Sequence, residues 1–256
     1  MPLSVDEIMR ALLERRVTLF YQAVVSARTK AIDHFEALLR LVDEEGAIIT
    51  PNRFIGVAEE NNLIHLLDRR ALDIAQVTLQ VRDNIRLAVN VSAATIKNDV
   101  ASRDYLAKLK AMGAKSKQLM IELTETEDPG DLARVNAFAA NARAMGCRMA
   151  IDDFGAGHSS FKSLMAVEAD EVKIDGSFIR DIATTPYKQA FVKLIVDMAQ
   201  TFDIKTVAEC VETQADAEVL RTYGIDYMQG YLFSKPAEEP DWPLSRPARI
   251  PLSEVS

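Results

Sequence analysis

Cysteine, histidine and net positive charge are scarce in this chain, and each shortage removes a class of function. Cys147 and Cys210 are the two cysteines in 256 residues. Their separation fits neither a zinc-ligand spacing nor a disulfide framework, so two buried thiols in a reducing compartment are expected. Thirty basic residues stand against 38 acidic ones, a net charge of -8. The counterion release that drives nucleic-acid binding has nothing to work with, and no basic run suits an anionic lipid surface. Neither duplex DNA or RNA nor a membrane is expected as a partner. Long apolar runs are missing too: no stretch approaches the roughly 20 residues of a spanning helix, and the N-terminus lacks a basic-then-apolar secretion signal. A cytoplasmic location is the expectation.

What remains is 48% hydrophobic and 27% charged, the profile of one folded domain, at a length that α/β barrels commonly use. Ser4 and Glu7 form a capping box ahead of Val5, Ile8, Met9, Leu12 and Leu13, whose spacing predicts an amphipathic helix. The period then changes. Val17–Val25 and His34–Arg40 read as strands, and the polar link Ser26–Lys30 is too short for a parallel crossover, so these two should run antiparallel. Further strands are predicted at Arg86–Val91, Gln118–Leu123, Arg148–Asp152, Glu171–Asp175, Lys205–Glu209 and Asp226–Gln229. Helices separate them: Pro51–Glu60 with Thr50 as cap, Leu66–Val81, Tyr105–Met112, Asp131–Met145, Tyr187–Phe202 and Ala215–Tyr223. This alternation predicts an α/β fold, a (β/α)8 TIM-like barrel with the first strand antiparallel. The barrel is assigned to residues 1–236. Pro236, Pro240, Pro243, Pro247 and Pro251 then mark 237–256 as a proline-rich tail or surface wrap.

Barrels keep their chemistry at the C-terminal ends of their strands, and here nearly every strand carries a polar residue there. Glu36 lies in the second strand, Asn90 ends the third, Glu122 the fourth, Asp152 and Asp153 the fifth, Lys173 the sixth, Glu209 the seventh and Gln229 the eighth. Residues two apart share a face, so Glu36 goes with Arg40 and Lys173 with Glu171 and Asp175, while Val172 and Ile174 point outward to helices. The neighbours Asp152 and Asp153 face one centre only if the chain bends, with Gly155 and Gly157 supplying the freedom. Converging carboxylates repel by about 4 kcal/mol per pair at about 4 Å and an effective dielectric near 20, too much for a marginally stable domain. Lys173 and Arg40 are too few to offset this, which implies divalent cations. Carboxylates plus the Asn90 amide oxygen suit magnesium, manganese or calcium; His34, His65 and His158 are not at these strand ends, which disfavours a histidine-ligated zinc hydrolase. Two cations about 3.5 to 4 Å apart and sharing Asp152 would suit in-line hydrolysis of a phosphate ester, with Lys173 holding the attacking water.

In these residues the chain resembles the EAL domains, phosphodiesterases of the bacterial second messenger cyclic di-GMP. The signature stands as Glu36-Ala37-Leu38, within Phe35–Arg40. The likeness continues through Tyr21-Gln22, Asn90-Val91-Ser92, Glu122-Leu123-Thr124-Glu125, Asp152–Ser160, Lys173-Ile174-Asp175, Glu209–Thr213 and Gln229–Pro236. The resemblance implies metal-dependent hydrolysis of cyclic di-GMP to linear 5'-pGpG. It assigns Glu36, Asn90, Glu122 and Asp152 to a first magnesium or manganese ion, and Asp152, Asp153 and Glu209 to a second. Lys173, Glu209 and Asp153 are the catalytic set, Arg40, Gln22 and Gln229 serve the substrate, and Glu125, Asp175 and Glu212 belong to loop and regulatory positions. A homodimer and inhibition by calcium are further implications. Departures from the family pattern are Ala23, Ala156, His158 and Cys210, the last of which, in place of a common glycine, is expected to move Glu209 if the backbone there needs a glycine conformation. Two rivals remain open: an inactive EAL domain that only binds cyclic di-GMP, and a magnesium-dependent barrel of the enolase kind.

Overall fold

The computed structural model describes residues 2–123, 129–156, 164 and 167–243. Helix α1 (Val5–Leu13) opens on the expected capping box, with the Ser4 hydroxyl accepting from the Glu7 amide and the Glu7 carboxylate taking the Ser4 N–H. Strands β1 (Val17–Ser26) and β2 (Ile32–Val42) form an antiparallel hairpin of nine residue pairs from Val17–Leu41 to Val25–Ile32. A two-residue strand, β3 (Ile48–Ile49), folds back on the end of β2. After α2 (Ile55–Glu60) and α3 (Ile64–Val81) come β4 (Leu87–Val91), α4 (Ala93–Lys97), α5 (Asp99–Ala111), β5 (Leu119–Leu123), α6 (Pro129–Ala144), β6 (Arg148–Phe154) and β7 (Glu171–Ile174). The short α7 (Gly176–Ile179), then α8 (Pro186–Thr201), β8 (Lys205–Ala208), α9 (Gln214–Tyr223) and β9 (Tyr227–Met228) complete the order.

Eight strands close a ring in the order β1-β9-β8-β7-β6-β5-β4-β2, with β2 returning to β1. Every neighbouring pair is parallel except the two that involve β1. The predicted TIM-like barrel with a reversed first strand is therefore what the chain forms. Closure is uneven, because β1 meets β9 through only Val25–Met228 and Ser26–Tyr227.

Side-chain alternation sorts the strands as expected. Outward residues such as Val89, Ile121, Ile151, Val172 and Ile174 join Leu72, Phe138 and Val196 of the helices in one large core. Inside the ring, Ala88, Met120 and Ala150 make a small apolar plug. Two residues further along the same faces stand Asn90, Glu122 and Asp152, so the plug is the floor beneath the polar strand ends.

Four local expectations shift. Thr50 does not cap a helix: its hydroxyl donates to Asn52, Pro51–Arg53 is a 3-10 turn, and the buried Phe54 breaks the segment before α2. α3 starts at Ile64, two residues before the predicted Leu66. α5 starts six residues before Tyr105, because the Asn98 side chain accepts from the amides of Val100 and Ala101. The short α4 was not foreseen; Ser92 caps it directly after β4.

The described part of the C-terminal segment lies against the barrel. Ala237 bridges to Tyr21 by two backbone hydrogen bonds of 2.7 and 3.1 Å. Trp242 packs edge-on and tilted against Tyr21 and Phe35, each at 4.9 Å between ring centroids, with the Arg82 guanidinium 5.3 Å above it. This strap covers the outer face of the β1–β2 hairpin. Among the described residues no helix is long and apolar enough to cross a membrane. Trp242→Ala should lower stability by about 1–3 kcal/mol, since the ring is only partly buried; urea denaturation of the two proteins measures this, and an unchanged midpoint would mean that the strap is passive.

Candidate active site

The floor residues set the depth of the site and the strand ends supply its chemistry. Lys173, on β7, is 1% exposed and extends into the middle of the ring. Its ammonium lies 2.7 Å from Glu209, 2.9 Å from Asp152, 3.1 Å from Glu122 and 3.3 Å from Glu36. Four strands thus send a carboxylate to one amine. Both Glu36 oxygens are held by amides: Asn90 Nδ2 donates to one at 3.0 Å and Gln229 Nε2 to the other at 2.6 Å. Gln229 Nε2 also donates to Gln22 Oε1 at 3.2 Å, and Gln22 donates to the Ser234 carbonyl. With Asn90 Nδ2 spent on Glu36, its oxygen is left for a cation.

The bend between Asp152 and Asp153 is present, and Asp153 itself makes it. Its φ is +53°, and the β6–β7 register slips between Ile151 and Phe154. Gly155 follows with φ +103°, where a Cβ would fall 2.9 Å from the Phe178 ring. Gly157 lies outside the described residues. Because of the bend both aspartates reach one region. Glu36, Glu122 and Asp152 offer oxygens within 4.8 Å of one another, and so do Asp152, Asp153 and Glu209. Two all-oxygen groups sharing Asp152 fit the expected pair of hard cations. The buried Glu122 Oε1 has no hydrogen-bond partner among the described residues, which leaves it free to ligate.

Five carboxylates against one ammonium strain the charge balance, and proton affinities record it. Burial lifts Glu122 well above the usual carboxylate range and Glu209 to about 8, and Lys173 only partly opposes this. Burial, then Asp152, raises Asp153 to about 6. For Glu36 burial acts in the same direction, but Lys173 and the two amides outweigh it and hold the group low. Burial would lower Lys173, yet Asp152, Glu122, Glu209 and Glu36 together raise it well above its ordinary value. Without bound cations, the surrounding carboxylates thus favour the ammonium form.

Above the cluster opens a cleft of about 570 Å³, lined by Gln22, Arg40, Arg180, Glu212 and Tyr231 as well as the acids. A second hollow of about 330 Å³ reaches Asn90, Asp152 and Asp153 from the α2–α3 side. Arg40 donates to the Leu39 carbonyl and lies 5.6 Å from the Phe20 ring centre, buried at the cleft wall. Glu212 stays at the rim, outside the carboxylate groups, 3.8 Å from Arg180 Nε. Asp175 accepts from the Ser177 amide and caps α7. Glu125 and His158 lie outside the described residues. Neither described histidine joins the cluster: His34 is buried beside Asp33 and Glu171, and His65 is on α3.

Cys210 does adopt a glycine-like backbone, φ +53°. Glu209 nevertheless keeps its place against Lys173, so the strain, about 1–2 kcal/mol, is absorbed. Two residues escaped the sequence reading. Asp68, pushed up to about 7 by burial, accepts from the Ser92 amide at 2.9 Å and the Thr95 hydroxyl at 2.5 Å, fixing the turn that follows Asn90. Arg180 is the other; it sits after a four-residue helix that leaves no periodic signal.

Residues 5–236 match the EAL domain family. The chain is 32% identical over 236 residues to the cyclic di-GMP phosphodiesterase NbdA of Pseudomonas aeruginosa, covering 90% of this chain and 30% of that protein. It is also 32% identical over 243 residues to the cyclic di-GMP phosphodiesterase PdeR of Escherichia coli, covering 91% and 36%. The chain thus spans about a third of these relatives. A solved complex of the PaMucR phosphodiesterase with c-di-GMP superposes with a TM-score of 0.82 at 32% identity, over 91% of this chain and 96% of that one.

Raised acids tie stability to pH. Between about pH 4.5 and 8 the folded chain holds protons on Glu209 that the unfolded chain releases, and Asp153 and Asp68 act alike up to about 6 and 7. In that window the native state binds more protons, so stability falls as pH rises. Metal-free protein should therefore melt lower at pH 8 than at pH 5.5, and magnesium should restore the loss. Calorimetry in chelator and in magnesium checks both; a melting temperature that is flat with pH would contradict the charge account.

Proposed function

Because the chain belongs to the EAL domain family, we propose that it hydrolyses one phosphodiester bond of cyclic di-GMP to linear 5'-pGpG, with magnesium or manganese in the carboxylate cluster. The observation that carries this reading is the pair of carboxylate groups that share Asp152 around Lys173. Glu36, Asn90, Glu122 and Asp152 would hold one ion, and Asp152, Asp153 and Glu209 the other. Bound there, the ions supply Lewis acidity and a water of lowered pKa.

The chain's own groups do the rest. Asn90 and Gln229 fix both oxygens of Glu36, so that ligand is oriented before anything binds. Lys173, at the centre of the carboxylates, orients the attacking water and offsets the negative charge that grows on the phosphoryl oxygens. Arg40 takes a phosphate oxygen at the cleft wall, and Gln22 and Gln229 border the same space. As water oxygen bonds to phosphorus, the P–O3' bond opens, leaving a 5'-phosphate and a 3'-hydroxyl. An intact ligand set favours this enzyme over a receptor that only binds. The same reading includes a cytoplasmic homodimer and inhibition by calcium.

Incubated with cyclic di-GMP and magnesium or manganese, the wild type should release pGpG, followed by chromatography, and chelator should stop it. Glu36→Ala should lose at least about 100-fold of the rate. Binding without product in either metal would refute hydrolysis, and a monomer by light scattering at full activity would refute the dimer.

A further inference from the structure

The cleft is lined by Glu36, Asp152, Glu209 and Glu212, yet the proposed ligand carries two phosphates. Among the described residues of that lining, the arginines are Arg40 on β2 and Arg180 beyond α7. The first already has a role. Arg180 has none, and its setting suits one. It is the C-terminal cap of α7, whose first turn is pinned by Asp175. Cys210 turns its sulfur onto the start of that helix: a Cβ on Gly176 would lie 2.6 Å from Cys210 Sγ, so no larger residue keeps this approach. The same sulfur accepts from Arg180 Nη2 at 3.1 Å.

This guanidinium is aimed but not saturated. A thiol is a weak acceptor. The Glu212 oxygen, 3.8 Å from Nε, is beyond hydrogen-bond length, and the arginine side chain is 53% exposed. An exposed pair of that kind is worth little, whereas a guanidinium fork on a phosphate makes two charge-assisted bonds. Exchange of Glu212 for phosphate is therefore favourable.

Building on the reading of cyclic di-GMP as ligand, we propose that Arg180 binds the phosphate that is not cut, leaving Arg40 and the carboxylate cluster to the one that is. Arg180 is then a residue of specificity: it distinguishes a cyclic dinucleotide, with two phosphates, from a dinucleoside with one. Through Cys210 it is also joined in sequence to Glu209, so the two ends of the ligand are gripped by one short loop.

The test is calorimetric titration in calcium of cyclic di-GMP and of linear GpG, which has a single phosphate, into wild type, Arg180→Ala and Arg180→Lys. The alanine variant should bind cyclic di-GMP about 10- to 100-fold more weakly, lysine should fall between, and GpG affinity should stay within about threefold. An unchanged dissociation constant for cyclic di-GMP, an equal loss for GpG, or no cyclic di-GMP binding by wild type would each overturn the assignment. Wild type that binds in this titration but yields no pGpG with magnesium or manganese would defeat the hydrolase reading alone and leave Arg180 assigned.

Discussion

One ammonium inside a ring of acids is the constraint around which the rest of this domain is organised. Lys173 approaches four carboxylates within 3.3 Å, and none of these distances survives if a strand slips by one residue. The barrel provides that fixity. Its parallel register, from β4 with β5 through β7 with β8, brings acids far apart in sequence to a common depth, and the apolar floor of Ala88, Met120 and Ala150 keeps them from sinking further. Charge is thus concentrated by backbone hydrogen bonding, and the concentration is tolerable only with protons or cations to offset it.

The geometry also divides labour among similar groups. Glu36 is held low by Lys173 and the two amides that orient it, while burial raises Glu209 to about 8 and Asp153 to about 6. Asp153, the more exposed and at φ +53°, differs from the buried Asp152, which pairs with Lys173. Its positive φ turns two neighbours in sequence into members of two ligand groups, and Asp152 belongs to both.

Much of this was legible before any coordinates. Alternating apolar runs gave the strand order, the five-residue link Ser26–Lys30 required β1 to be reversed, and parity put Lys173 with the acids and Val172 with the helices. The end-of-strand acids were recognisable because a charge that closes an apolar run needs a reason. Less was readable where structure depends on side chains reaching back to the main chain. Asn98 extends α5, Phe54 interrupts the segment at Pro51, and neither effect has a period to detect. Arg180 was hidden for a related reason: its place comes from Cys210 and Gly176, brought together only by folding. Cys210 leaves Glu209 against Lys173 because the space opposite Gly176 accommodates its sulfur.

The closure of the ring is lopsided: nine residue pairs join β1 to β2, while two join β1 to β9. β9 is joined to β8 by two pairs as well, so local breathing is expected around β9, where fewest ladder bonds must break. Gln229 follows directly after β9, and its amide is one of the two hands on Glu36. Each transient loosening of β9 therefore slackens the grip on Glu36, so the motion of the most thinly paired strand is passed straight to one member of the carboxylate ring.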